Sequence, residues 1–198
     1  FYRRIRADTA IFPASIFSLR RLMPDKSYVP AQIFPGIGQI ALTCNEFYET
    51  DIGPYNEFIF SVSLNNPHIL QLPLYNSLRQ LKQSSFYTYF NSMAVTSENA
   101  MRSGIDFAGF PKFLAAIDFT DTPEWMICEV KEGDDLICRV KGRKIAAKQS
   151  RIVNHFIRLY QNQQTKSIEY KMNACQLGIS RDSAGGTWLP ARQQLAER

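Results

Sequence analysis

Apolar and polar residues alternate with a period of two along most of this chain, the pattern left by strands that bury one face. Over residues 39–48, Ile40, Leu42 and Cys44 fall on one side and Ala41, Thr43 and Asn45 on the other. After the turn signal Asp51-Ile52-Gly53-Pro54, Phe58, Phe60, Val62 and Leu64 share one face, while Glu57, Ile59, Ser61 and Ser63 share the opposite face. The two segments are predicted to form a hairpin. Residues 86–95, 125–130, 136–141, 151–160 and 167–175 read as further strands, and Glu132-Gly133-Asp134-Asp135 marks a hairpin between 125–130 and 136–141. Residues 1–24 are extended, and Pro13 restricts its apolar run to a sheet edge or a strand start.

Helical spacing is rare. Leu74, Leu78 and Leu81 recur on one helical face after Pro73 and are expected to pack inward. Thr96 or Ser97 is placed to cap a second short helix through Glu98-Asn99-Ala100-Met101, which Gly104 is expected to stop. The polar residues 190–198 suit a further helix. Some seven short strands with two minor helices and no internal repeat predict a mainly β (α+β) chain. The architecture expected is an antiparallel β-barrel or double sheet with a few short helices, in one domain over residues 1–198.

Composition narrows the function classes. Hydrophobic residues make up 45% of the chain and aromatic residues 13%, enough to fill a core of pleated strands. The net charge of +5 favours anionic ligands, a carboxylate among them. The basic groups Arg3-Arg4-Ile5-Arg6, Arg20-Arg21 and Lys141-Gly142-Arg143-Lys144 are dispersed and not interleaved with an aromatic platform, so nucleic acid is not the expected partner. Cys44, Cys128, Cys138 and Cys175 lack metal-ligand spacing, and His68 and His155 are the only histidines, so no metal is expected. All four cysteines lie in apolar stretches and read as buried free thiols; a disulfide between Cys128 and Cys138, which flank the Gly133 turn, stays open. No apolar run reaches membrane-spanning length and no signal peptide is visible, so the cytoplasm is the expected compartment.

The chemistry points to one lysine. Lysines ordinarily face water, whereas Lys112 is set in Gly109-Phe110-Pro111-Lys112-Phe113-Leu114. Proline fixes the backbone just before it, and Phe110, Phe113 and Leu114 can strip water from the amine. Desolvation disfavours the ammonium form and would make the free amine nucleophilic toward a carbonyl carbon. The plain alternative is a strand lysine that reaches water past apolar neighbours.

The run Gly104-Ile105-Asp106-Phe107-Ala108-Gly109-Phe110-Pro111-Lys112 resembles the active-site stretch of the acetoacetate decarboxylase family, in which a glycine, a spacer, an aromatic residue and proline precede a Schiff-base lysine. Gly53-Pro54-Tyr55-Asn56-Glu57-Phe58 is similar to the family's Tyr-x-Glu segment, and Leu19-Arg20-Arg21-Leu22-Met23-Pro24 to its early helix-and-proline element. The three occur in the family's order across residues 19–120. The resemblance implies a lyase without metal or organic cofactor, Lys112 forming an imine with a small β-keto or related oxo acid and Glu57 orienting substrate or moving a proton. It also implies Tyr55, Phe110 and Phe113 around the substrate, Arg4 or Arg6 as the carboxylate-binding arginine, and a homo-oligomer. The family's second lysine, directly after the reactive one, is here Phe113, and its second glutamate falls at Thr43, near Glu46. Two other readings fit the same residues: a related Schiff-base aldolase or dehydratase, and a non-catalytic β-barrel that binds a small acidic or apolar ligand.

Overall fold

Alternating sequence becomes strand almost throughout, as β1 (Tyr2–Ser15), β2 (Gln32–Phe34), β3 (Ile37–Thr50), β4 (Tyr55–Leu64), β5 (Ser85–Val95), β6 (Lys112–Leu114), β7 (Ala116–Asp121), β8 (Trp125–Glu132), β9 (Asp135–Arg143), β10 (Gln149–Gln161), β11 (Gln164–Leu177) and β12 (Gly185–Trp188). Among the described residues, three short helices, α1 (Ile16–Leu22), α2 (Tyr75–Gln83) and α3 (Glu98–Ser103), and one π-helical turn, Gly104–Ala108, interrupt them. The computed structural model describes residues 2–144, 149–161, 164–177 and 185–188; the expected helix at 190–198 lies outside them.

The strands form two sheets. The larger runs β1-β3-β4-β5-β10-β11, with β2 also on β3 and β6 also on β5; the smaller runs β12-β9-β8-β7. Pairing is antiparallel except that β10 and β6 both run parallel to β5. The predicted hairpins form with β3 against β4 and β8 against β9, and Gly53 and Gly133 take the positive φ that their turns require. Pro13 sits on edge strand β1, where its missing N–H breaks no ladder. Of the two architectures expected, the double sheet is the one found: the smaller sheet keeps its own edges, β12 and β7, and the sheets do not close into a barrel.

The main core lies between the sheets. Leu42, Cys44, Phe58 and Ala94 of the larger sheet meet Ile117, Cys128, Val130 and Val140 of the smaller. Cys44, Cys128 and Cys138 are free buried thiols. Burial pushes Cys138 up to about 12, and a hydrogen bond to Cys128 raises Cys44 far above the ordinary thiol range. Such thiols are inert. Cys128 pairs with Val140 and Cys138 with Val130, so the two cysteines sit diagonally rather than opposite each other. The side chain of Cys175 lies outside the described residues.

Two further expectations change. The leucines of α2 face outward, and Asn76 and Gln80 are the residues that the helix buries. Gly104 does not stop α3; it keeps right-handed helical geometry, and the chain continues through the π turn to Gly109, which ends it at φ +72°.

The two sheets meet where Asp8 of β1 lies over Gly142 of β9, and a Cβ added there would fall 1.8 Å from Asp8 Oδ2. Burial also pushes the Asp8 carboxyl above the usual range. Gly142→Ala is expected to destabilise the fold by about 1–3 kcal/mol, as overpacking does. Chemical denaturation measures it, and adding Asp8→Ala should recover most of the loss.

Candidate functional site

Because Phe58 and Phe60 point into the inter-sheet core, strand alternation sends Glu57 to the opposite face of the larger sheet. Register places Asn45 beside it on β3, and one repeat along, Thr43, Ile59, Met93 and Lys112 form a row across β3, β4, β5 and β6. Lys112 thus shares a face with Glu57 although 55 residues separate them.

The segment before Lys112 is built to deliver it there. Ser97 caps α3 by accepting from the Ala100 N–H. The π turn follows, Gly109 reverses the chain in the left-handed region, and the Pro111 carbonyl accepts from Met93 N–H at 3.0 Å, docking β6 on β5. The lysine side chain then crosses Gly104. A Cβ on Gly104 would lie 2.5 Å from Lys112 Cδ and 2.6 Å from Cε, so this glycine is needed for space and not for backbone freedom.

Lys112 Nζ donates to Glu57 Oε2 at 2.7 Å, and the two side chains are 4% and 6% exposed. The nitrogen stands 5.6 Å from the Tyr55 ring centre and 5.7 Å from that of Phe110. Tyr55 stacks on Phe47, and Phe110 on Phe90, so both rings are held by packing. The remaining Glu57 oxygen accepts from Asn45 Nδ2 at 3.4 Å. The result is an amine and a carboxylate in direct contact, enclosed by aromatic rings and nearly out of water.

Of the residues singled out in the sequence, Lys112, Glu57, Tyr55 and Phe110 are brought together. Phe113 is not: the residue after Lys112 on a strand points to the opposite face, and Phe113 packs against the inter-sheet core. A second lysine at that position would point away from the amine too, so Phe113 removes no cation from its surroundings. Arg4 stands apart, its guanidinium 5.2 Å over the Tyr48 ring. Arg6 is committed to Glu46 and Asp121. Thr43 shares the site face and its hydroxyl meets that of Thr9 at 3.0 Å. A recess of about 300 Å³ lies at the β3–β4 turn, lined by Tyr48, Glu49, Thr50, Asp51 and Pro54; its carboxylates suit no anionic substrate and it lacks the lysine. Asn45 is a contributor that sequence reasoning missed, though the hairpin register already sets it opposite Glu57; Gly104 was named in the active-site stretch, but not for the room it leaves the lysine side chain.

The model of the family described as Acetoacetate decarboxylase (ADC) matches residues 18–170. Among solved structures, an acetoacetate decarboxylase from Legionella pneumophila is 14% identical with a TM-score of 0.57, over 87% of this chain and 65% of that one. This chain therefore spans less than two thirds of that protein's length. A second acetoacetate decarboxylase structure has a TM-score of 0.62 at 12% identity, over 97% of this chain and 76% of the other. The enduracididine biosynthesis enzyme MppR complexed with pyruvate has a TM-score of 0.58 at 10% identity, over 96% and 78%. No curated protein matches the chain.

Proposed function

Since this chain belongs to the acetoacetate decarboxylase family, we propose that it is a Schiff-base lyase in which Lys112 forms an imine with a small β-keto or related oxo acid and decarboxylates it. The observation that carries this reading is the buried contact of Lys112 Nζ with Glu57 Oε2 at 2.7 Å. An amine attacks a carbonyl only without its extra proton, and Glu57 is in hydrogen-bond contact with the nitrogen that must lose it. A structural ion pair would not need two aromatic rings fixed around the nitrogen.

The steps follow from amine chemistry. Lys112 Nζ adds to the ketone carbon, and the carbinolamine loses water to give a protonated imine. The C–C bond to the carboxylate breaks, its electron pair moving onto the imine nitrogen as carbon dioxide leaves. The enamine takes a proton at carbon, and water hydrolyses the imine, returning the ketone product and free Lys112. Glu57 accepts the first proton and is placed to return one later; Asn45, donating to its other oxygen, holds the carboxylate in line. Aromatic walls keep bulk water from the imine.

The deciding experiment is mass spectrometry after borohydride reduction in the presence of acetoacetate or pyruvate. Wild type should gain the mass of one reduced adduct, on the peptide carrying Lys112, and Lys112→Ala should gain none. Equal labelling of both proteins removes Lys112 from the reaction. Labelling of wild type without carbon dioxide release across a panel of oxo acids would direct the same imine to aldol chemistry or dehydration.

A further inference from the structure

An oxo acid brings a carboxylate of its own, and the two arginines expected to receive it do not face the amine. Arg6 pairs with Glu46, the residue after Asn45, so alternation turns it toward the smaller sheet, where it meets Asp121. Arg4 lies over Tyr48. On the face that does carry the amine, register aligns Ala7, Asn45 and Glu57 in one row and Thr9, Thr43, Ile59, Met93 and Lys112 in the next. Thr43 is therefore the diagonal neighbour of Glu57, a relation that sets two same-face side chains about 7–8 Å apart. A small molecule bonded to Lys112 Nζ beside Glu57 has one row to cross to reach it.

Burial shows from which side such a molecule arrives. Beyond Glu57 the face is closed by the packed cluster of Phe47, Tyr55, Val95 and Ala100. Along the lysine row it opens: Met93 and Ile59 are buried, Thr43 is half-buried and Thr9 is exposed. Thr43 thus stands where the enclosed amine gives way to water.

The two threonine hydroxyls lie 3.0 Å apart. Two hydroxyls in contact share one proton between them, which leaves the other O–H to donate elsewhere. Because β3 lies between β1 and β4, Thr43 is the nearer to the amine, so Thr9 donates to Thr43 and Thr43 donates onward. Its neighbours are committed, Asn45 donating to Glu57 and the Ser61 hydroxyl to the Ala41 carbonyl. A donor in such a chain is strengthened by the one behind it, and it binds an ionised acceptor best. Standing a row away, it also keeps a substrate carboxylate off the like charge of Glu57.

We infer that Thr43, oriented by Thr9, is the donor that recognises the carboxylate of the oxo acid. The inference rests on the imine reading of Lys112 given above. Thr43 touches the substrate and Thr9 is a positioning residue. A neutral donor suits the reaction, since the carboxylate charge disappears as carbon dioxide leaves, and a hydroxyl forfeits less at that step than a charged partner would.

Initial borohydride labelling, measured against the concentration of acetoacetate and of acetone, tests this, because acetone is the same methyl ketone without the carboxylate. Thr43→Val keeps the shape and removes the hydroxyl. It should raise the half-saturating acetoacetate concentration about 10- to 100-fold and leave that of acetone where it was. Thr43→Ser, which retains the hydroxyl, should restore acetoacetate binding, and Thr9→Val should shift acetoacetate in the same direction by less. Circular dichroism checks folding, and Thr9→Val, at an exposed position, carries the test should Thr43→Val not fold. A Thr43→Val protein that titrates acetoacetate like wild type, or that weakens both ketones alike, overturns the assignment while leaving Lys112 in place. Wild type labelled by neither ketone removes the imine, and this inference with it.

Discussion

Gly104→Ala is expected to abolish reductive trapping at Lys112 while the protein stays folded. The methyl group would fall 2.5 Å from Cδ and 2.6 Å from Cε of the lysine, inside contact distance for two carbons, and 3.1 Å from Nζ itself. Either the lysine leaves its path to Glu57 or the π turn shifts under it, and a misplacement of about 1 Å at a reacting atom costs about 10²-fold in rate. The backbone offers no resistance to the change. Gly104 has φ −67° and ψ −39°, helical values that alanine adopts readily, and alanine in a helix is favoured over glycine by about 1 kcal/mol. That gain works against the clash, so the melting temperature should move by a few degrees at most while adduct formation falls at least 10²-fold. Adduct yield by mass spectrometry, beside a thermal melt, reads both. A Gly104→Ala protein that labels like wild type would mean that the reactive amine does not lie across this glycine.

That glycine also shows where sequence reasoning reached its limit. In the sequence Gly104 follows a capped helical turn and reads as its end, because glycine is the common helix stop. In the fold, Gly109 does the stopping and Gly104 makes room for a side chain eight residues on, a requirement visible only once Lys112 is folded back over it. The strands were legible because alternation is local: Phe58 and Glu57 had to face opposite ways, whatever lay beyond. Local pattern says less about what covers a face. The leucines of α2 gave the right helix and the wrong side, since Asn76 and Gln80 bond to backbone groups at Asn66, Leu64 and Tyr87, and those bonds outweigh the apolar stripe in orienting it. The barrel could not be told from the double sheet because closure depends on which strands become the edges, here β7 and β12. Lys112 and Glu57 were named in the sequence, but their 2.7 Å contact was not, because it depends on the parallel pairing of β6 with β5, which alternation alone does not reveal.

The second large effect should appear in a double-mutant cycle across that contact. Two opposite charges, each over 90% removed from water, depend on one another. Deleting one leaves the other buried without its partner, a loss of about 3–5 kcal/mol, whereas replacing both with apolar side chains of similar volume is often neutral or stabilising. Lys112→Met and Glu57→Leu are each therefore expected to lower unfolding free energy by several kcal/mol, and the combined variant to recover most of it, for a coupling of about 2 kcal/mol or more by urea denaturation at neutral pH. Single losses under about 1 kcal/mol that simply add would mean that the ammonium and carboxylate are solvated separately and that the site is not enclosed as described. Activity should part company with stability. The double variant, as stable as wild type, has no nitrogen to bond with a ketone and should form no adduct. Glu57→Gln, which keeps the shape and Lys112 but lacks a proton acceptor, should still trap oxo acid, about 10²- to 10⁴-fold more slowly. An apolar pair would hold this part of the fold at least as well, and what it cannot do is pass a proton from an amine to a carboxylate and leave that amine free to attack.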